Sequence, residues 1–275
     1  MKTRIISGII MAPLLILVIL GGNFLTAAAF LIAVLGLREF FNGFKMIDIR
    51  PSYSIALVST VLLYVCHYII YFSSNEVRAA QIAAPLYMGW LIITAVMCML
   101  MLFRIRNVKL EDAMATFIGI VYITFFSYHI ALTEMKFADV CKGSPVWFIV
   151  ITAFCTDMAA YFGGTYLGKN KLCPTISPKK TIEGSVCGIA GSLVISFLFG
   201  LIFGDHTYLF SFIVIGILGG IVSQVGDLTA SVFKRNMGIK DYSNLIPGHG
   251  GIMDRFDSVL FTAPLVYYCF SLLIQ

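Results

Sequence analysis

The densest group of residues capable of chemistry lies between positions 231 and 257, in an otherwise apolar chain. This segment holds four glycines, a histidine, four cations and three carboxylates. Glycines let the backbone approach a ligand closely, cations suit phosphate groups, and neighbouring carboxylates suit a hard metal ion. The pattern therefore predicts phosphate chemistry with the help of a metal ion. The charged residues are Lys234, Arg235, Lys240, Asp241, Asp254, Arg255 and Asp257, and the histidine is His249.

Three carboxylates are expected to meet at one end of two apolar runs. Asp254 and Asp257 are three residues apart at the start of the last run, so they share one face of a helix. Asp227 lies near the end of the preceding run, where membrane insertion of a carboxylate costs about 2.5–3.5 kcal/mol and normally implies a partner and a role. Mg²⁺ binds few carboxylates and keeps waters or substrate phosphates as further ligands. We therefore predict that Asp227, Asp254 and Asp257 bind Mg²⁺, with a salt bridge near the interface as the alternative for Asp227.

A second polar segment, between residues 161 and 184, contains two adjacent lysines in a chemically specific setting. Lys179 and Lys180 lie within the sequence SPKKTIEG, whose serine, proline and threonine favour an ordered turn. Two cations on an ordered turn predict contact with a phosphate. The alternative is that these lysines only supply the positive charge that keeps a loop on the cytoplasmic side.

Two further residues have open interpretations. Asp157, within FCTDMAAYFGG, also lies in an apolar run and has either a ligand or a structural or indirect role. His249 stands between glycines, where it either contacts a phosphate or base or packs within its loop. No cysteine or second histidine stands at a suitable spacing for a zinc site.

The composition places these residues in a membrane protein. The chain is 59% hydrophobic and 12% charged, against about 25% charged in an average soluble domain, and its mean hydropathy is +0.93. These values exclude an ordinary soluble globule. The net charge of +5 comes from cations in short loops between apolar runs, so it indicates membrane topology and no nucleic-acid partner.

Membrane-spanning helices must position the polar segments, because a backbone in lipid has to satisfy its own hydrogen bonds. We predict an all-α, polytopic integral membrane protein with about nine transmembrane helices. The first is read as a retained helix rather than a cleaved signal peptide. The predicted spans are residues 5–22, 24–41, 54–73, 82–103, 112–133, 146–166, 184–204, 207–230 and 257–275.

The distribution of cations predicts the orientation of these spans. With a cytoplasmic N-terminus, sixteen lysines and arginines lie inside and three lie outside. This arrangement makes the C-terminus periplasmic and places the loops 167–183 and 231–256 in the cytoplasm. We expect residues 1–140 to form a lipid-facing scaffold and residues 141–275 to form the catalytic region.

Three segments resemble motifs of the phosphatidate cytidylyltransferase (CDP-diacylglycerol synthase) family. Residues 231–257 match its longest motif without departure, and TDMAAYFGG and SPKKTIEG match two shorter ones. The clear match covers about residues 155–257, whereas the N-terminal half agrees only in hydropathy and number of helices. The matching residues are Asp157, Ala160, Tyr161, Gly164, Ser177, Pro178, Lys179, Lys180, Thr181, Glu183, Gly184, Ser231, Lys234, Arg235, Lys240, Asp241, Ser243, Pro247, His249, Gly250, Gly251, Asp254, Arg255 and Asp257.

The resemblance implies transfer of a cytidylyl group from CTP to phosphatidic acid, giving CDP-diacylglycerol and pyrophosphate. It also implies Mg²⁺ with a second cation beside it, and a homodimer among the lipids of a bacterial inner membrane, with its site on the cytoplasmic side. Catalytic roles are expected for Asp227, Lys234, Arg235, Asp254 and Asp257, of which the three aspartates bind metal. Substrate contacts are expected from Lys179, Lys180, Ser231, Lys240, His249 and Arg255.

Other classes of function stay open at this point. A transporter would use Asp157 and Asp227 to bind a coupling ion, but it would leave the polar segment 231–257 unexplained. Nearer alternatives are a cytidylyltransferase for another anionic lipid, such as an isoprenoid ether lipid, and a CTP-dependent lipid kinase.

Overall fold

The computed structural model describes residues 16–73, 76–103, 108–141, 143–245 and 250–274. These residues are mostly helical, and eight of their helical segments are long and apolar enough to cross a membrane. The eight coincide with eight of the predicted spans, which confirms the helical membrane class. The remaining predicted span, near residues 5–22, falls mostly outside the described residues, so the count of nine stays a prediction, as does the orientation.

The described part of the chain divides into two compact units, one within residues 29–128 and one that joins residues 16–28 to those within 129–274. The functional division predicted at residue 140 stays a prediction.

Pairs of buried hydroxyls join helices within the first unit: Ser59 to Thr94 at 2.7 Å and Thr60 to Thr124 at 2.8 Å between their oxygens. Such pairs hold helices together in lipid, where burial of apolar side chains gives little drive. The elements of this part are helices α1 (Gly22–Lys45), α2 (Tyr53–Tyr71), α3 (Glu76–Met101) and α4 (Leu110–Gly119), and a π-helical segment, Ile120–Phe125.

The unit that includes residues 129–275 is an antiparallel helical bundle with one short β-hairpin. Helix α6 packs on α7, α7 on α8, and α8 on α9, while α6 also contacts α8 and α9. Strands β1 and β2 pair antiparallel between α6 and α7. The elements are α5 (Phe126–Phe137), α6 (Val146–Tyr166), β1 (Lys171–Cys173), β2 (Ser177–Thr181), α7 (Ile182–Ile202), a 3₁₀ turn (His206–Tyr208), α8 (Leu209–Asn236) and α9 (Met253–Leu273).

An aromatic cluster closes one end of this bundle. Phe148 lies with its ring centroid 5.2 Å from those of Phe199 and Phe212 and 5.7 Å from that of Phe270. These residues come from the start of α6, the end of α7, the start of α8 and the end of α9. Because the helices are antiparallel, the polar sequence segments at the other helix ends are gathered at the opposite end of the bundle.

Glycines set the close approach of α7 to its neighbours. A Cβ on Gly184 would lie 2.7 Å from the carbonyl oxygen of Ala160, and one on Gly188 would lie 3.1 Å from the Ala160 Cβ. On α8, a Cβ on Gly220 would lie 2.9 Å from the Cβ of Ser192, and Gly216 is similarly crowded. Gly184 with Gly188 and Gly216 with Gly220 form small-xxx-small pairs, a sequence pattern that predicts the close helix packing seen here.

The two polar loops are shorter than the predicted ranges 167–183 and 231–256. Helix α8 continues to Asn236 and helix α9 begins at Met253, so Lys234 and Arg235 lie on the last helical turn rather than in a loop. Most of the other predicted loop is the β-hairpin, and α7 begins at Ile182. A rigid helix or strand therefore carries most of the predicted site residues that the structure describes.

Candidate active site

The hairpin and the start of α7 form one tightly tied segment. The Thr181 hydroxyl caps α7 by accepting a hydrogen bond from the backbone N–H of Gly184 at 3.1 Å. The Glu183 carboxylate accepts hydrogen bonds from the backbone N–H groups of Lys169 and Asn170 at 3.1 and 3.2 Å, and from the Asn170 amide at 2.8 Å. The ordered segment predicted around Lys179 and Lys180 is thus confirmed, in the form of a hairpin.

A cavity of about 580 Å³ opens between this hairpin and the helices α6, α7 and α8. Its volume falls within the range of roughly 300–1,000 Å³ that is usual for small-molecule sites. Residues of the two shorter sequence motifs line it, together with Asp227 and with residues that no motif marked. The lining includes Asp157, Lys179, Lys180, Ser185, Gln224 and Asp227.

An ion pair joins the hairpin to helix α8 inside the cavity. The Lys180 Nζ lies 2.5 Å from the Asp227 Oδ2, and the two side chains are 25% and 31% exposed. Asp227 therefore has the salt-bridge partner that the sequence offered as an alternative, yet it also faces a cavity large enough for a ligand. Its Oδ1 has no hydrogen bond to any described residue, so the carboxylate keeps capacity for another partner.

Asp157, Asp227 and Asp257 lie close enough for their charges to act on one another. Ser258 connects two of them: its hydroxyl donates to Asp157 Oδ2 at 3.0 Å, and its backbone N–H donates to Asp257 Oδ1 at 2.8 Å. Gly226 permits this approach, because a Cβ there would lie 2.7 Å from the Asp257 carbonyl oxygen. Like charges gathered at the end of an apolar bundle repel strongly, and a bound cation would relieve that repulsion.

Asp254 has different surroundings from the other carboxylates. Its Oδ1 accepts a hydrogen bond from Lys234 Nζ at 2.7 Å, and its Oδ2 accepts from the backbone N–H groups of Tyr242 and Gly251, both at 2.9 Å. The Asp254 side chain is only 3% exposed. Three donors thus fasten both ends of the loop between α8 and α9 to this carboxylate. The metal-binding role predicted for Asp254 stays a prediction, and its oxygens already have these partners.

Tyr242 completes this enclosed group. Its ring centroid lies 5.4 Å from Lys234 Nζ, and its hydroxyl donates to the carbonyl oxygen of Ala230 at 3.2 Å. Burial, followed by the negative charges of Asp254 and Asp257, raises the pKa of Tyr242. The phenol therefore stays neutral and keeps its proton for the bond to helix α8.

None of the remaining predicted residues that the structure describes lines the cavity. Arg235 donates from Nε to the Ile176 carbonyl at 3.2 Å and from Nη1 to the Ile239 carbonyl at 3.3 Å, so it fastens the hairpin turn to the loop after α8. Ser231 is buried and Lys240 is exposed. Arg255 is half-buried on the first turn of α9, and His249 lies outside the described residues.

Comparison with known proteins identifies the family. A family model described as the cytidylyltransferase family matches residues 2–273, nearly the whole chain. The chain belongs to the cytidylyltransferase family. A phosphatidate cytidylyltransferase of Synechocystis sp. is 34% identical, covering 98% of this chain and 97% of that protein. One of Bacillus subtilis is 30% identical, covering 99% of this chain and 98% of that protein. The resemblance found in the motifs is confirmed, and the chain is a nucleotidyltransferase enzyme.

The carboxylates of this cytidylyltransferase have the chemistry that a hard cation requires. Among the described residues, no three His, Cys, Asp or Glu side chains are arranged to hold a metal ion by themselves. Mg²⁺ needs only one or two carboxylates when substrate phosphates and waters complete its shell. Asp227 and Asp257 each keep one oxygen without a hydrogen bond to a described residue, so these two fit the ion better than Asp254 does.

Two polar residues of the cytidylyltransferase site lie outside the residues that the sequence motifs marked. Ser258 is a serine within an apolar helix, and only its position after Asp257 distinguishes it. Gln224 is a neutral residue in the long apolar run of α8, where it donates from Nε2 to the carbonyl oxygens of Ser185 at 3.1 Å and Gly220 at 3.0 Å. An uncharged glutamine at membrane depth was the one available hint.

Proposed function

We propose that this cytidylyltransferase transfers a cytidylyl group from CTP to phosphatidic acid, giving CDP-diacylglycerol and pyrophosphate. The observation that carries the proposal is the cavity at one end of apolar helices, with lysines on its hairpin side and carboxylates on its helix side. Such a site suits an anionic headgroup whose acyl chains stay in hydrocarbon. Relatives that match nearly the whole chain, including the two described above, are named phosphatidate cytidylyltransferases, which supports these substrates.

The proposed reaction needs no strong general base. An oxygen of the lipid phosphate, already ionised near neutral pH, attacks the α-phosphorus of CTP and forms a new P–O bond. The bond from the α-phosphorus to the oxygen that bridges to the β-phosphate breaks, and pyrophosphate leaves with that electron pair. The main obstacle is electrostatic, because one anion must approach another, so positioned positive charge is expected to supply the largest catalytic contribution.

We assign Asp227 and Asp257 to Mg²⁺, which when bound would neutralise phosphate charge and stabilise the departing pyrophosphate. Asp157 adds a third carboxylate nearby, so the group suits the second cation that the resemblance implies. For Asp254, first predicted as a third ligand, we favour positioning the loop, because a lysine and two backbone N–H groups already bind its oxygens.

Cations divide into two groups in this proposal. Lys179 and Lys180 line the cavity and contact the phosphates of CTP. Lys234 and Arg235 hold the loop and the hairpin in place through Asp254 and Ile176. Substrate contacts by the rest of the predicted set stay predictions: Ser231, Lys240, His249 and Arg255.

The proposed location is the inner membrane of a bacterium, with the site on the cytoplasmic face where CTP is available. The distribution of sixteen cations inside and three outside supports this side. The proposed assembly is a homodimer, on the strength of the family resemblance.

A product assay tests the function. Purified protein is incubated with labelled CTP, phosphatidic acid and Mg²⁺, and we expect labelled CDP-diacylglycerol with an equal amount of pyrophosphate. CDP with a phosphorylated lipid would identify a kinase instead. Product only from an isoprenoid ether lipid would change the acceptor, and no turnover of CTP with any lipid would favour a transporter.

A further inference from the structure

The side-chain amide of Gln224 has only one possible orientation. Its Nε2 donates to two backbone carbonyl oxygens, those of Ser185 and Gly220, at 3.1 and 3.0 Å. An amide nitrogen has two N–H bonds, so these carbonyls use both of them. Rotating the amide by half a turn would place its oxygen against two other oxygens, so the hydrogen-bond network fixes which atom is which.

The Oε1 of Gln224 is therefore a rigid acceptor at the cavity. Gln224 lines the cavity, and its Oε1 has no hydrogen bond to any described residue. Ser185, whose carbonyl holds the amide in place, also lines the cavity, and a serine hydroxyl either donates or accepts a hydrogen bond. Gln224 precedes Asp227 by three residues on α8, so the acceptor and the proposed phosphate site share one helix face.

We propose that Gln224 determines the base specificity of the enzyme, with its Oε1 accepting a hydrogen bond from the exocyclic amine of cytosine. The Ser185 hydroxyl donates to the neighbouring ring nitrogen. This inference rests on the proposed use of CTP. Cytosine presents a donor beside an acceptor on this edge, whereas uracil presents a carbonyl oxygen beside an N–H. A hydroxyl adapts to either base, but the fixed Oε1 has no proton to offer and would repel the uracil oxygen.

The substrate side of the test uses the unaltered protein. We measure kcat/KM for CTP, for UTP and for the triphosphate of the 2-pyrimidinone riboside, which lacks only the exocyclic amine, each with phosphatidic acid. Sites built to hydrogen-bond a polar group reject analogues that lack it, so we expect both alternatives to fall at least about tenfold below CTP. Equal use of CTP and the analogue without the amine would overturn the proposal. This comparison of substrates does not depend on the folding of any variant.

The protein side uses Gln224→Met, which keeps the length of the side chain and removes its polar atoms. We expect the preference for CTP over UTP, and over the analogue without the amine, to fall by about tenfold or more through loss of activity with CTP. The matched control is Asn236→Ala. Asn236 makes the same kind of bond on the same helix, from its amide to the Val232 carbonyl at 3.1 Å, but it is exposed and does not line the cavity. Its replacement should leave the preference unchanged.

The outcomes separate the possible roles of Gln224. If Gln224→Met lowers kcat/KM equally for all three nucleotides, the amide only packs helices α7 and α8, and the proposal fails. If the preference is kept while the Mg²⁺ concentration for half-maximal rate rises, Oε1 binds a cation and the proposal also fails. Failure of the unaltered protein to form CDP-diacylglycerol from CTP would contradict the proposed function itself, so the two failures are distinguishable.

Discussion

Asp227 and Asp254 occupy different surroundings, although the same sequence argument assigned both to a metal ion. Asp227 faces the cavity with one oxygen that has no hydrogen bond to a described residue. Asp254 is enclosed and accepts three hydrogen bonds from Lys234 and the loop backbone. Replacing each carboxylate by its amide should therefore have different consequences.

For Asp227→Asn we expect turnover to fall at least about a hundredfold while the protein still inserts and folds, because the charge that holds a catalytic cation is removed. Product formation at saturating Mg²⁺ and yield of inserted protein measure the two effects. Asp139→Asn, which alters an exposed carboxylate outside the cavity, is the control and should keep full activity. Near-normal turnover of Asp227→Asn would remove this residue from the metal site.

For Asp254→Asn we expect loss of stability as well as activity. The change leaves the Lys234 ammonium, whose side chain is 12% exposed, without its charged partner, and breaking such a buried pair costs about 3–5 kcal/mol. Thermal unfolding in detergent should shift downward, and proteolysis between residues 237 and 252 should become faster. An unchanged melting temperature together with a raised requirement for Mg²⁺ would instead identify Asp254 as a ligand.

Lys180→Gln should raise the KM for CTP about tenfold and change kcat little, because a charge-assisted contact to a phosphate in both ground and transition states is lost. Lys179→Gln should act in the same direction. Lys45→Gln is the control, since Lys45 is an exposed cation whose described contact is with Asn42. If the contact forms only as pyrophosphate departs, kcat falls instead, and unchanged values of both constants would place the hairpin lysines outside the site.

At the scale of elements, the hairpin depends on helix α8 for its position. Arg235, on the last turn of α8, donates to the Ile176 carbonyl at the hairpin turn, and Asp227, two turns earlier, pairs with Lys180 at its base. Two strands of three and five residues have little stability of their own. Helix α8 therefore positions Lys179 and Lys180 together with the start of α7.

Arg235→Lys tests this dependence while keeping the charge. A lysine cannot reproduce the two directed bonds of the guanidinium, so we expect faster hydrogen exchange at residues 171–177 without substrate, and a higher KM for CTP. Exchange at helix α9 serves as the internal reference and should not change. Unchanged hairpin exchange with a lower kcat would show that Arg235 contacts a phosphate directly.

At the scale of the whole molecule, the orientation in the membrane follows from the number of spans. Eight spans lie within the described residues, and one more is predicted near residues 5–22. With nine spans and a cytoplasmic N-terminus, a reporter fused after Gln275 should show a periplasmic C-terminus. A fusion between α8 and α9 should report the cytoplasm. A cytoplasmic C-terminus would mean that the first two predicted spans form a single crossing.

The sequence by itself determined the membrane class, the positions of eight spans and the family. Each apolar run must form its own backbone hydrogen bonds in lipid, so hydropathy and length suffice to locate a helix. The glycine pairs Gly184 with Gly188 and Gly216 with Gly220 predicted close packing for a similarly local reason, because only small residues at this spacing let two helix backbones approach. The motifs themselves carried the family resemblance.

Only the tertiary structure decided which side chains share a partner. Ser258 bonds to Asp157 from 101 residues away in sequence, Gln224 bonds to the Ser185 carbonyl, and Asp254 binds loop backbone instead of facing the cavity. Helical periodicity states which face a residue occupies on its own helix but not which residue of another helix lies opposite. That pairing follows from the antiparallel packing of α6, α7, α8 and α9, and it separates the carboxylates that face the cavity from the one that holds the loop.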